Sequence, residues 1–245
     1  MRYVSRDVEP RDLHAAVSEL RSPEVRGANV TIPHKETVVP LMDELAQEAA
    51  TIGAVNTIVN EDGGLSGHNT DAAGFAATLR KLIPEGPAGR DCLVVGAGGV
   101  ARAVVASLVG EGAFRVWVAN RTHERALRLC EEASEWGTAE LVPLRLEDAK
   151  RVGPSCKVIV NATSLGLVEP VKEFPVDVDT LDSGQVLVDT VYGTDPTSLV
   201  EAARKRGIAA VDGKEMLLQQ AALAYELWTG IEAPLKAMRE MVDGQ

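Results

Sequence analysis

The string Gly96-Ala97-Gly98-Gly99-Val100-Ala101 follows a short apolar run, Cys92–Val95, and opens a helix-like stretch from Val100 to Val109. Its spacing is Gly-x-Gly-x-x-Ala. The first glycine permits a sharp turn, the second lets backbone approach a pyrophosphate, and a small third residue permits close helix–strand packing. Amides at a helix start lack intrahelical partners and suit phosphate oxygens. A glycine turn without a ligand is the competing reading, and the strand–turn–helix context weighs against it. Gly96, Ala97, Gly98, Gly99 and Val100 are therefore candidate dinucleotide contacts. About 24 residues after Gly96 the next strand ends in Ala119-Asn120-Arg121-Thr122, where selection of an unphosphorylated ribose calls for an acid. No acid stands there. Arg121 and Arg125, with Thr122 as an added donor and Asn120 beside them, suit a 2′-phosphate, because guanidinium offers bidentate charge-assisted bonds. The spacing predicts NADP(H) rather than NAD; two arginines at a solvated helix start are the alternative.

Further polar residues stand at the ends of strand-like runs. Thr31 and Lys35 lie in Asn29-Val30-Thr31-Ile32-Pro33-His34-Lys35, Asn56 in Ile52-Gly53-Ala54-Val55-Asn56-Thr57, and Asp71 in Gly67-His68-Asn69-Thr70-Asp71. Asn is depleted in strands and a buried amide needs partners, so Asn56 meets either a ligand hydroxyl or the protein itself. Asp71, with Thr70, is equally suited to capping a helix that starts at Ala72. Lys35 alone reads as a surface lysine, and Thr31 as an ordinary strand residue. Gln220 shares a helical stripe with Met216, Leu223 and Leu227, opposite Glu215, Gln219 and Glu226, so its amide needs partners inside. Tyr192 sits at a strand end. His34 and His68 match no metal spacing, His14 and His123 read as solvated helix residues, and no metal is expected.

These residues are carried by alternating strand-like and helix-like stretches, the pattern of an α/β protein with mainly parallel sheets. The pattern predicts a helix over Pro10–Leu20, a strand over Gly27–Ile32, a helix around Leu41–Ala50, and strands over Ala54–Asn60 and Leu65–Asn69 joined by an Asp62-Gly63-Gly64 hairpin. A helix over Ala72–Ile83 leads to strands at Cys92–Val95, Arg115–Ala119, Lys157–Val160, Val186–Asp189 and Ile208–Val211. Helices over Glu215–Gly230 and Pro234–Val242 end the chain. Two lobes follow, residues 1–71 and 72–212, with the helices of 213–245 last.

The 245 residues carry 25 basic and 36 acidic side chains, a net charge of −11, with 45% hydrophobic residues. Length and composition suit a soluble globular protein with a sizeable core. The acidic balance argues against a general nucleic-acid binder. The longest apolar stretch, Cys92–Gly110, is broken by glycines and Arg102, so no membrane span is expected. Cys92, Cys130 and Cys156 signal neither a disulfide framework nor a zinc site, and a reducing cytoplasm is the default.

The three strand-end motifs, together with Asn161-Ala162-Thr163-Ser164, Asp189-Thr190-Val191-Tyr192 and Asp212-Gly213…Gln220…Trp228-Thr229-Gly230, closely resemble the shikimate dehydrogenase family, in matching order from about Ala28 to Gly230. The resemblance implies NADP-dependent, reversible reduction of 3-dehydroshikimate to shikimate, in aromatic amino-acid biosynthesis. It implies a small substrate lobe, a Rossmann-type NADP lobe, a cleft between them, and C-terminal helices returning to the substrate lobe. Lys35 becomes the acid/base, paired with Asp71 around the reacting hydroxyl, and Thr31, Asn56, Asp71, Tyr192 and Gln220 become substrate contacts. Thr163, Thr190 and Gly213 join the cofactor contacts. A homodimer is the assembly left open. Two other classes compete: a non-catalytic NADP(H)-binding relative, which would not need both Lys35 and Asp71, and a quinate/shikimate dehydrogenase preferring NAD.

Family members begin with a further strand and helix carrying a Ser-x-Ser pair that grips the substrate carboxylate. Here Met1-Arg2-Tyr3-Val4 resembles the family's second strand, and Ser5, Ser18 and Ser22 form no such pair. An unpaired sheet edge is expected, together with a loss of roughly 3–6 kcal/mol of substrate binding, about 10²–10⁴ in affinity. An upstream start, a partner chain closing the gap and a degraded relative are the three explanations.

Overall fold

The computed structural model describes residues 2–167 and 173–244. Residues 2–9 form no strand, and Tyr3 and Val4 are exposed; Met1 lies outside the described residues. The expectation of a strand over residues 1–4 is thus corrected. No sheet edge takes up their backbone, and Tyr3 is held through its side chain, its hydroxyl donating to Asn29 Oδ1 at 2.9 Å and its ring lying against Trp228.

The first layer is α1 (Leu13–Glu19), led by a 3₁₀ turn at Pro10–Asp12, packed under a four-stranded sheet. That sheet comprises β1 (Gly27–Asn29), β2 (Glu44–Leu45), β3 (Thr57–Glu61) and β4 (Gly64–His68), in the order β1-β3-β4-β2. The β1–β3 and β3–β4 pairs are antiparallel, whereas β2 runs parallel to β4. Asp62 and Gly63 both take positive φ, which suits the right-handed twist of a hairpin and bears out the expected turn. Val17, Val38, Ala49, Val55, Ile58 and Leu65 form this layer's core. Two expectations fail here. The strand at Gly27 stops at Asn29, because the chain turns to bring Lys35 back under Val55. The stretch 41–50 is not one helix: a 3₁₀ turn at Val39–Leu41, β2, and then α2 (Gln47–Ile52) replace it, since Pro40 and the pairing of Glu44 with Ser66 interrupt the helical ladder.

α3 (Asp71–Leu82) leads into the second sheet, which is wholly parallel. It contains β5 (Asp91–Val95), α4 (Gly99–Gly110), β6 (Arg115–Asn120), α5 (His123–Ala133), β7 (Glu140–Arg145), α6 (Ala149–Val152), β8 (Val158–Asn161), β9 (Val186–Asp189), α7 (Ser198–Lys205) and β10 (Ala209–Val211). The strand order is β10-β9-β8-β5-β6-β7, so the order reverses between β5 and β8, where such sheets bind ligands at their carboxyl ends. Alternation along β5 sends Cys92 and Val94 into one core and Leu93 and Val95 into the other, as a sheet covered on both faces requires. The pattern missed β7, whose charged ends and Pro143 hide its period; it is an edge strand, where proline is tolerated.

α8 (Lys214–Thr229) and α9 (Leu235–Asp243) end the fold. α8 packs against α3, and its Trp228 Nε1 donates to Ile58 O of β3 at 2.9 Å, so the C-terminal helices do return to the first sheet. The expected inner stripe is corrected: Leu227 is exposed, and the buried side of α8 is Met216, Leu218, Ala222 and Ala224, because α3 and α9 cover it from two directions. Arg102 of α4 donates to Ile52 O at the end of α2 and pairs with Glu132 of α5, tying the two layers together. Among the described residues no helix is long and apolar enough to cross a membrane.

Candidate functional site

Lys35 is placed by its backbone: its carbonyl accepts from Val55 N at 2.8 Å, in the segment that enters β3. Its Nζ then donates to Asp71 Oδ2 at 2.7 Å, with side-chain exposures of only 11% and 5%. A pair this shielded is held firmly, because leaving either charge alone out of water is costly.

Asp71 opens α3, but it does not cap it. Asn69 Oδ1 accepts from the amides of Asp71 (3.1 Å) and Ala72 (3.3 Å), which does that work and leaves the Asp71 carboxylate for other groups. Its second oxygen accepts from Asn56 Nδ2 at 2.9 Å. Asn56 is a buried hub. Its Nδ2 also reaches Thr70 Oγ1 at 2.9 Å and Gln220 Oε1 at 3.3 Å, while its Oδ1 accepts from Thr70 N at 2.8 Å and Thr57 Oγ1 at 3.0 Å. The Gln220 amide nitrogen donates to Leu217 O at 3.0 Å. Residues 35, 56, 71 and 220, far apart in the chain, therefore form one hydrogen-bonded unit. Thr31 lies outside it, exposed and with no side-chain hydrogen bond among the described residues. His34 Nε2 donates to Val8 O at 2.7 Å, a structural role. His123 departs from its expected solvation, being half-buried with an unpartnered Nδ1.

Facing this unit is the glycine loop. Gly96 takes φ +124°, and a Cβ there would lie 2.5 Å from Ala162 O, so the turn between β5 and the loop after β8 admits only glycine. Gly98 precedes the first turn of α4, where Arg102 N makes the first intrahelical bond, to Gly98 O. The amides before it are of the kind that receive phosphate. A Cβ on Gly98 would meet nothing nearer than Arg125 Nη2 at 4.0 Å, an open cradle. Asn120 Nδ2 donates to Thr122 O at 2.8 Å, fixing the turn after β6, and Arg121 is exposed with no ion-pair partner among the described residues. Arg125 reaches across to Glu36 Oε1 at 2.9 Å, a half-exposed pair that uses only part of its guanidinium. These residues fit a phosphorylated dinucleotide.

The residues after β8 lie against Gly96 of the glycine loop, and those after β9 and β10 lie against each other. Asn161 donates to the buried Asp189 carboxylate at 2.9 Å and accepts from Thr163 Oγ1 at 2.7 Å. Burial pushes the Asp189 carboxyl up, and its bonds from Thr197, Val191 N and Asn161 oppose that. Thr190 N is held by Asn161 O at 2.9 Å, and Gly213 lies against Thr190 O so closely that a Cβ would be 2.4 Å away. Tyr192, 45% exposed, rests beside Gly213 on the rim. Sequence reasoning missed Asn69, Glu36 and the Asn161–Asp189–Thr197 network. Asn69 carried a usable signal, an Asn three residues before a helix amide; Glu36 carried none, since only the closing of the lobes sets it opposite Arg125.

Three family models match the chain: the shikimate dehydrogenase substrate binding domain over residues 1–58, the shikimate/quinate 5-dehydrogenase model over 79–169, and the shikimate 5′-dehydrogenase C-terminal domain over 213–242. The shikimate dehydrogenase (NADP(+)) of Moorella thermoacetica is 44% identical over 96% of this chain and 80% of its own length. The shikimate 5-dehydrogenase of Thermus thermophilus, solved with NADP(H) and shikimate, is 37% identical with a TM-score of 0.81, covering 96% of this chain and 85% of that one. Quinate dehydrogenase of Corynebacterium glutamicum, solved with NAD, is 33% identical with a TM-score of 0.84, covering 97% and 83%. With a fold of two sheets, a glycine loop at the β5/β8 reversal and a buried lysine–aspartate pair facing it, the chain belongs to the shikimate dehydrogenase family.

Proposed function

We propose that this chain catalyses the reversible NADPH-dependent reduction of 3-dehydroshikimate to shikimate, as an oxidoreductase acting on a CH–OH group in aromatic amino-acid biosynthesis. The observation that carries the reading is the Lys35–Asp71 pair, 2.7 Å apart, nearly out of water and set against the glycine loop. Gly96, Ala97, Gly98, Gly99 and Val100 would receive the pyrophosphate, Arg121, Arg125, Asn120 and Thr122 the 2′-phosphate end, and Thr163, Thr190 and Gly213 the other end of the cofactor. When bound, the cofactor supplies a hydride for the carbonyl carbon. The carbonyl π pair then moves onto oxygen, and the Lys35 ammonium gives that oxygen its proton; the amine left behind regains a proton from water. Asp71 holds Nζ in place and balances its charge, and Asn56 fixes the carboxylate from behind. Gln220, Tyr192 and Thr31 would orient the ring.

We assign residues 1–71 to the substrate lobe, 72–212 to the NADP lobe and 213–245 to helices packed on the substrate lobe, with Trp228 docked on β3 in support. A cytoplasmic setting suits the three free, buried cysteines, whose Cys130 and Cys156 thiols burial pushes up to about 12. Shikimate oxidation followed at the nicotinamide absorbance band tests the function. Turnover with shikimate and NADP supports it. Preference for quinate and NAD would favour the quinate/shikimate reading, and no turnover with bound NADPH a non-catalytic relative.

A further inference from the structure

We infer that Gly99 is a positioning residue for the reaction: its missing side chain lets the nucleotide lobe close onto the stem of the acid/base lysine. The inference rests on Lys35 holding that role. Gly99 is the first residue of α4 and has ordinary helical backbone, so no conformational need calls for glycine there. What calls for it is Lys35. A Cβ on Gly99 would lie 2.8 Å from Lys35 Cβ, 3.3 Å from Cδ and 3.5 Å from Cγ. Carbon atoms in contact sit about 3.5–4.0 Å apart, so any Cβ at position 99 would overlap the lysine stem.

The lysine cannot step aside. A Cβ moves only with its backbone, and the Lys35 carbonyl is held by Val55 N while Nζ is held by Asp71. Next to this contact, Glu36, the residue after Lys35, pairs with Arg125 of α5, whose guanidinium lies beside Gly98. An alanine at 99 would therefore push the glycine loop back from Lys35 by about 1 Å. Lys35 and Asp71 would stay paired, since both belong to the substrate side. A displacement of this size between reacting partners lowers rates by up to about 10²-fold. The neighbouring Gly98 has a different duty: a Cβ there finds open space on the protein, in the cradle expected to receive pyrophosphate.

The two glycines can be separated by Gly99→Ala and Gly98→Ala, each measured for NADPH affinity by equilibrium fluorescence and for steady-state turnover. Gly99→Ala is expected to lower kcat about ten- to a hundred-fold. Gly99 would meet the pyrophosphate through its backbone amide, which alanine keeps, and the added methyl is aimed at Lys35. NADPH affinity and the KM for shikimate should therefore stay within about threefold, the pH profile should be unchanged, and the isotope effect with deuterium at the transferred hydride should rise. Gly98→Ala is expected to weaken NADPH binding instead. NADPH binding also shows that the nucleotide lobe of each variant is folded. Gly99→Ala turning over at the wild-type rate, or losing NADPH affinity in step with kcat/KM, would overturn the positioning role. Lys35→Ala run alongside keeps the two levels apart. If that variant retains kcat, the acid/base reading fails; if it collapses while Gly99→Ala does not, only the inference about Gly99 fails.

Discussion

Glu215, at the start of α8, clasps three elements: its carboxylate accepts from Lys81 of α3 at 2.7 Å, from Arg239 of α9 at 2.7 Å and from Gln219 at 2.8 Å. Burial by itself pushes this carboxyl up, but Arg239, Lys81 and Gln219 outweigh it and hold it at about 2. Set against an ordinary 4.5, that corresponds to at most about 3 kcal/mol. Lys81 and Arg239 are themselves 50% and 41% exposed, so solvent screening leaves about 1–2 kcal/mol. The folded value is depressed, so the contribution is complete above the unfolded value near 4.5 and is lost as pH falls toward 2. Glu215→Gln should therefore lower Tm by about 2–8 °C at neutral pH. The gap to wild type should hold constant down to about pH 5 and close below it. Thermal unfolding of both proteins across pH 7 to 3.5 gives the comparison. Equal Tm at pH 7, or a gap that persists unchanged through pH 3.5, would refute the reasoning.

Arg121→Ala and Arg125→Ala should each raise the Kd for NADPH about 10–100-fold and leave that for NADH within about twofold, as expected for lost charge-assisted bonds to a 2′-phosphate; equal losses for both nucleotides would remove the assignment. Asp189 has a folded-state pKa raised by burial, so its ionised form works against folding as pH rises above its unfolded value. Asp189→Asn should then be neutral or slightly stabilising at pH 7, whereas Asp189→Ala, which strands donors from Asn161, Val191 N and Thr197, should cost about 2 kcal/mol or more in urea unfolding.

The parallel sheet was legible because its strands are buried on both faces and read as short runs of Val, Ile and Leu between turn signals; β5, α4 and β6 fall within a residue or two of their expected ends. β7 was not, because an edge strand that is only partly buried, with a proline and charged termini, has no such run. The first sheet was harder, since β1 and β2 hold three and two residues, too few to show a period. Of the site, the glycine loop and the arginine after β6 follow from local spacing. The family motifs supplied Lys35, Asp71, Asn56 and Gln220. Their joining into one network depends on β3, α3 and α8 meeting, which no local pattern encodes. Asp71 shows the limit well: both the cap and the free carboxylate fitted the sequence, and Asn69, two residues earlier, decided between them.

Lys35→Ala tests the central claim most directly, with kcat for shikimate oxidation and Kd for NADPH measured on the same preparation. A fall in kcat of about 10²–10⁴ with NADPH affinity unchanged is the result expected of a proton donor held by Asp71. Turnover within a few-fold of wild type would contradict the account, and would leave the buried pair as a structural tie beneath a nucleotide site.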